Sequence, residues 1–177
     1  MKKAFVPMLL AGISVLMLAP AAHAADGLVE FDGVLTSATC TINNGSKDFT
    51  VTLPPMSTKT LAAPGSWAGR QGFKLSLTDC TPSTGIVSAY LEPGPTVNSA
   101  TGNLKPDAGG ATKVEVALLN SSYDPIDASK PIGQQNVDKV SLASGKADLQ
   151  FYAQYQSLGN ATAGAVKSRV NYTITYQ

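Results

Sequence analysis

The sequence is poor in the side chains that most enzymes use. It has one histidine, His23, and two cysteines, Cys40 and Cys80, among 177 residues, and only 14% of its residues are charged. His23 falls in a segment that we expect to be removed, so the mature chain would contain no histidine. That excludes Ser-His-Asp or Cys-His catalysis and histidine-containing metal sites in the mature chain. Because no basic run is present, nucleic acid and anionic membranes are not expected as partners.

Long hydrophobic runs are also scarce, and the one at residues 8–18 lies near the start. It is short for a membrane span, and no later stretch is apolar enough to be a membrane helix. Lys2 and Lys3 precede the run, and Ala22-His23-Ala24 follows it with the small residues that signal peptidase requires. Residues 1–24 are therefore predicted to be a secretory signal peptide, which leaves an exported chain sized for one domain.

The two remaining cysteines form an even count in an exported chain, which predicts a Cys40–Cys80 disulfide. Closing a loop of roughly 40 residues stabilises a fold by about 3–4 kcal/mol in the chain-entropy description. The alternative, a thiol nucleophile or metal ligand, would have neither a histidine nor a third cysteine beside it. No catalytic, metal or cofactor site is expected, and the protein is not expected to be an enzyme.

Short runs of alternating apolar and polar residues, separated by Gly, Pro, Ser, Asn and Thr, fill the rest of the chain. They are typical of strands with one buried face, and no long window keeps a helical period. The predicted strands cover residues 28–35, 39–42, 48–53, 73–80, 87–92, 114–118, 147–156 and 168–177, with one or two short strands between 120 and 140. This pattern predicts an all-β fold, an antiparallel sandwich.

Two further expectations concern side chains in the middle of the chain. In the strand at 114–118, Lys113 and Glu115 alternate with valines and are expected to face outward. Trp67 lies in an irregular stretch, residues 56–70, and is expected to fill a gap in the core rather than to form a ligand platform.

The first and last predicted strands have complementary patterns. The first has an apolar face opposite Glu30 and Asp32. That apolar face consists of Val29, Phe31, Gly33 and Leu35. The last strand runs to the end of the sequence with Val170, Tyr172, Ile174 and Tyr176 on one face. A sandwich that finishes in this way is expected to leave an open apolar edge, which binds an extended segment of matching alternation.

Several segments also carry a family likeness. They are Phe31-Asp32-Gly33 leading to Cys40, residues 72–80 around the second cysteine, residues 151–155 and residues 172–177, with Gly164 fourteenth from the end and Tyr176 penultimate. Together they resemble chaperone–usher fimbrial subunits of the type 1 pilin class. The resemblance covers essentially the whole mature chain.

This resemblance implies an immunoglobulin-like sandwich at residues 37–177 that lacks its last strand, preceded by a donor-strand extension at residues 25–36. A periplasmic chaperone would lend a strand, and at the outer-membrane usher the extension of the next subunit would replace it. The implied donor face is Val29, Phe31, Gly33 and Leu35. The implied acceptor groove and chaperone-recognised strand contain Gly164, Val170, Tyr172, Ile174 and Tyr176. Gly33 fits this role because backbone can enter a crowded pocket where no Cβ will fit.

The leading interpretation is a non-catalytic structural subunit of a surface fimbria, which polymerises with copies of itself or sister pilins and supports adhesion. Within the family, the alternative is a minor adaptor or tip subunit. Outside it, the alternative is a secreted carbohydrate-binding sandwich in which Trp67 or Tyr90 stacks on sugar. An enzyme using an acidic pair assembled only by the fold is a weaker alternative.

Overall fold

A computed structural model describes residues 27–33 and 35–177, and the predicted signal peptide lies outside them. The chain divides into two units between residues 34 and 35. Residues 27–33 contain no helix or strand, so the strand predicted at 28–35 is not formed there. Their apolar side chains are exposed, Phe31 to 93%. No helix in the described ranges is long and apolar enough to cross a membrane.

The second unit is built from β-strands with short 3₁₀ turns. The strands are β1 (Thr39–Ile42), β2 (Trp67–Thr81), β3 (Ile86–Glu92), β4 (Val114–Leu119), β5 (Pro125–Ile126), β6 (Val140–Ser141), β7 (Ala147–Ser157) and β8 (Asn171–Tyr176). The 3₁₀ turns are Asn43–Gly45 and Thr58–Leu61. One sheet has the order β1-β2-β7-β4-β5 and the other β6-β3-β8, with every pair antiparallel. The predicted all-β antiparallel sandwich is confirmed.

The core forms between the inner faces of these sheets. In β7, Leu149, Phe151 and Ala153 are buried, while Gln150 and Tyr152 between them are half-buried on the outer face. Each fully buried leucine or phenylalanine stabilises the fold by about 1.5–3 kcal/mol, so this alternation sets the register of the strand.

The predicted disulfide is confirmed, with the sulfur atoms of Cys40 and Cys80 2.03 Å apart. It links β1 to β2, which also pair through Thr39 with Thr81 and Ile42 with Leu77.

Trp67 is not a core residue, and the expectation that it fills a core gap is wrong. It begins β2 opposite Gln156, on the outer face of the five-stranded sheet, and is 53% exposed. The neighbouring position, Ala68, points inward and is buried instead.

Glu115 points away from the core as expected, but it is not exposed. A loop over the outer face covers it, and only 2% of its surface reaches solvent. Its carboxylate accepts hydrogen bonds from Asn98 Nδ2 (2.5 Å), Thr101 Oγ1 (2.8 Å) and Asn103 Nδ2 (3.1 Å). Glu115 therefore fastens this loop to β4.

Replacing Glu115 by alanine is expected to lower the free energy of unfolding by at least about 2 kcal/mol, because three partly buried hydrogen bonds to its carboxylate are lost. Glu115→Gln keeps one acceptor oxygen and should be less damaging. Denaturant unfolding of the two variants measures the difference. Equal stability of Glu115→Ala and the parent chain would show that the loop is held by other contacts.

The buried Gln135 side chain closes one side of β3. Its Nε2 donates to the Leu91 carbonyl oxygen (2.6 Å), and its Oε1 accepts from the Leu91 N–H (2.9 Å). One amide thus makes the two hydrogen bonds that a neighbouring strand would otherwise make at this residue.

Candidate functional site

The β8 strand lies at the edge of the three-stranded sheet and pairs with β3 alone among the described residues. Ile86 and Gln177 exchange both backbone hydrogen bonds, at 3.0 and 2.8 Å. In an antiparallel ladder such pairs alternate with pairs that make no hydrogen bonds. Counting back from Gln177, the N–H and C=O groups of Tyr172, Ile174 and Tyr176 therefore point away from β3.

These outward backbone groups have no protein partner in the part of the chain that the structure describes. Backbone N–H and C=O groups form strong hydrogen bonds, and in most proteins either the fold itself or a binding partner satisfies them. Six residues of strand with one open side form a template on which another strand can pair.

The same residues carry side chains that the fold leaves half-buried. Val170, Tyr172, Ile174 and Tyr176 all pack against the main core, yet none is fully covered. A row of half-buried apolar side chains beside an open strand edge marks a core that an additional strand would complete.

The second wall of this site is the segment at residues 48–53. Its predicted strand is not formed, although Val51 and Leu53 are half-buried and Thr52 between them is exposed. No described residue makes a hydrogen bond with the backbone of residues 48–56. The alternation therefore determines which side chains face inward. No strand forms, because no neighbouring strand in the described residues supplies the backbone hydrogen bonds.

Aromatic rings connect this second wall to the core. Phe49 is 43% exposed, and its ring centroid lies 6.0 Å from that of Phe73. Phe73 in turn stacks on buried Phe151, with centroids 5.4 Å apart. We call the region between the two walls the acceptor groove, after the role that the family resemblance predicts for β8. Its residues are Phe49, Val51, Leu53, Val170, Tyr172, Ile174 and Tyr176.

The hydroxyls of two tyrosines in β8 contact the backbone of earlier parts of the chain. The Tyr172 hydroxyl donates to the Lys47 carbonyl oxygen at 2.8 Å. Burial raises the pKa of Tyr172, and the negative charge of Asp48 raises it further. Burial also raises the pKa of Tyr176, against an opposing hydrogen bond from the Cys40 backbone. Both hydroxyls therefore stay protonated and able to donate near neutral pH.

Gly164, which the family resemblance placed with these residues, lies before β8 and outside the groove walls. Its φ is +156°, and an added Cβ would lie 2.7 Å from the Ala111 backbone nitrogen. The next residue, Ala165, accepts a hydrogen bond from that nitrogen at 2.8 Å. Gly164 thus lets the segment leading to β8 lie close against the loop at residues 110–111.

The proposed donor residues differ from the groove residues in exposure. Val29 and Phe31 are exposed in the first unit, and Leu35, at the start of the second, is exposed as well. Sequence reasoning missed the role of Phe49, Val51 and Leu53 as a groove wall, although their alternation was visible. The described residues contain no group of three or more His, Cys, Asp or Glu side chains placed to hold a metal ion.

Comparison with known proteins agrees with this architecture. The chain is 45% identical over 163 residues to the major fimbrial subunit SMF-1 of Stenotrophomonas maltophilia (strain K279a), covering 88% of this chain and 95% of that protein. It is 41% identical over 175 residues to the F17 fimbrial protein of Escherichia coli, covering 94% of this chain and 96% of that protein. A chaperone–usher pilus structure superposes with a TM-score of 0.61 at 23% identity, covering 90% of this chain and 100% of that one.

The superposition confirms the predicted immunoglobulin-like fold. The family model for the type-1 fimbrial protein, A, matches residues 53–177, which include β2 to β8 and most of the acceptor groove. The chain therefore belongs to the type-1 fimbrial protein family, as a structural subunit that is exported to the cell surface and joins sister subunits in a fimbria.

Proposed function

We propose that this subunit polymerises by donor-strand exchange, with residues 25–36 of each incoming copy filling the acceptor groove of the copy before it. The observation that supports this most strongly is the open edge of β8, where outward backbone groups and half-buried side chains occur at the same residues, Tyr172, Ile174 and Tyr176. An extended segment laid along this edge makes the missing hydrogen bonds and covers the apolar row in one step.

The proposed donor has the chemistry that the groove requires. Val29, Phe31 and Leu35 alternate along an extended segment, and each buried side chain of this kind contributes about 1.5–3 kcal/mol. Gly33 has no side chain and passes the most crowded point of the groove. Glu30 and Asp32 lie on the opposite face, which stays in water.

The assembly route follows from the same incomplete core. A subunit with an open apolar groove is prone to aggregate, so a periplasmic chaperone occupies the groove after residues 1–24 have been removed as a signal peptide. At the outer-membrane usher, the extension of the incoming subunit replaces the chaperone's strand. The subunit itself does no chemistry, and it acts as the repeating unit of the fibre rather than as an adaptor.

A peptide copying residues 27–36 is expected to raise the melting temperature of the purified full chain. At a peptide concentration near 100 times its dissociation constant, the shift should be about 5–10 °C. The matched control is the same peptide with serine at the Phe31 position, which keeps the charge and backbone but loses the largest apolar contact. Equal shifts from both peptides would rule out recognition of this alternation, and the Ile174→Arg chain should respond to neither.

A further inference from the structure

A second surface of the molecule, on the outer face of the five-stranded sheet, holds an arginine between two aromatic rings. The Arg70 guanidinium carbon lies 4.3 Å from the centroid of the Trp67 ring and 4.5 Å from that of Tyr123. Tyr123 also packs on Tyr152, with ring centroids 4.5 Å apart. Stacking on both sides limits the rotation of the guanidinium, so its orientation is largely set before any ligand arrives.

The hydrogen bonds of Arg70 leave one side of its guanidinium available. Its Nε donates to Gln154 Oε1 at 2.9 Å, and this amide is neutral. Within the described ranges, the ion pairs involve Lys74, Lys130 and Arg169, and no carboxylate pairs with Arg70. Its two terminal amino groups form a planar fork that matches a carboxylate.

A cavity of about 470 Å³ is connected to this arginine through Gln154, although Arg70, Trp67 and Tyr123 do not line it. Gln154, which holds Arg70, also lines the cavity, as does Gln156, which pairs with Trp67 across the sheet. Ala117 and Leu119 contribute an apolar part of the lining, and the polar side chains of the wall are amides and hydroxyls. The volume lies within the range of about 300–1,000 Å³ that is usual for small-ligand pockets.

We propose that this surface binds a sugar that carries a carboxylate, such as a uronic acid unit of an acidic glycan. The Arg70 fork pairs with the carboxylate, the exposed Trp67 ring packs against the sugar's C–H face, and the amides of the cavity bind its hydroxyls. The concave, amide-lined wall favours a small ligand over another subunit, whose contact would need a surface of about 800 Å² per partner.

This site would give the surface of the fibre a binding function that is separate from assembly. None of its residues belongs to the acceptor groove. A site of weak affinity that recurs in every subunit of a fibre would gain avidity on a surface rich in acidic glycans, typically by about 10²–10⁴.

Intrinsic fluorescence of the full chain provides a direct test, because Trp67 is the only tryptophan. Titration with methyl glucuronide is expected to change the emission saturably, whereas methyl glucoside, the uncharged counterpart, should bind at least about tenfold more weakly. Arg70→Gln and Arg70→Lys should each weaken glucuronide binding by about tenfold or more, since lysine keeps the charge but not the fork. Lys74→Gln, which removes a nearby cation of the same strand, should bind as the parent chain does.

Circular dichroism and melting temperatures of the Arg70 variants show whether a loss of binding is caused by a loss of folding. The comparison of methyl glucuronide with methyl glucoside is made in the parent chain, so it does not depend on any variant. Equal affinity for the two sugars would overturn the proposal, as would the absence of any saturable response to glucuronide. If the sugars have no effect while Arg70→Gln impairs association between subunits, the surface is a contact between copies of this chain and the proposal is wrong.

Discussion

Deleting residues 25–35 is expected to leave a subunit that folds with its chaperone but no longer enters a fibre. The physical reason is that the β8 edge of the preceding subunit then has no strand to complete it. The measurement is the amount of subunit in fibres sheared from cells, compared with the amount held in the periplasm. Fibres of normal yield and length from this deletion would contradict donor-strand exchange.

Single substitutions in the same segment test the alternation itself. Phe31→Ser should reduce incorporation by about tenfold or more, because a buried aromatic contact of about 1.5–3 kcal/mol is lost. Asp32→Ser is the matched control, since it changes the adjacent residue on the solvent face and should leave incorporation unchanged. If the two variants behave alike, the face assignment of the donor is wrong even where the deletion prevents assembly.

Removing the disulfide has the second large expected effect. The Cys40→Ser, Cys80→Ser double variant should lose about 3–4 kcal/mol of unfolding free energy, because the 40-residue separation is no longer closed in the unfolded chain. The disulfide lies beside the acceptor groove, since Cys40 belongs to β1 and the Cys40 backbone contacts Tyr176. We therefore expect a lower melting temperature together with less subunit captured by the chaperone.

Thr41→Ser provides the control for this variant, because it alters the next position of β1 and keeps the disulfide. Growth of cells making the parent chain under reducing conditions should reproduce the defect of the double variant. A normal melting temperature and a normal fibre yield in the double variant would show that the hydrophobic core alone holds β1 in place.

The strands that the sequence predicted well are those whose partner lies in the same chain. β3, β4 and β7 were each predicted within one or two residues because their alternation reports a buried face and a neighbouring strand completes the ladder. Residues 48–53 alternate equally well but form no strand, since alternation specifies faces and does not supply a hydrogen-bonding partner. The disagreement between pattern and structure falls on one wall of the acceptor groove.

Two other residues show what the alternation of apolar and polar residues does not predict. Glu115 was assigned to the correct side of β4, yet it is buried, because the loop that contains Asn98, Thr101 and Asn103 folds over that side. Trp67 was expected to fill a gap in the core, but the register of β2 with β7 places it on the outer face beside Gln156. Both outcomes depend on long-range packing that local alternation does not encode.

The single amide of Gln135 has a consequence for the architecture of the polymer. By occupying the hydrogen-bonding groups of Leu91, it caps β3 where a foreign strand would otherwise add, and β5 and β6 are only two residues long. Within the described part of the chain, β8 is thus the longest edge open to an incoming strand. A subunit with one acceptor groove and one donor segment can bind two neighbours. Its polymers therefore grow as unbranched fibres, and their length depends on the supply of subunits.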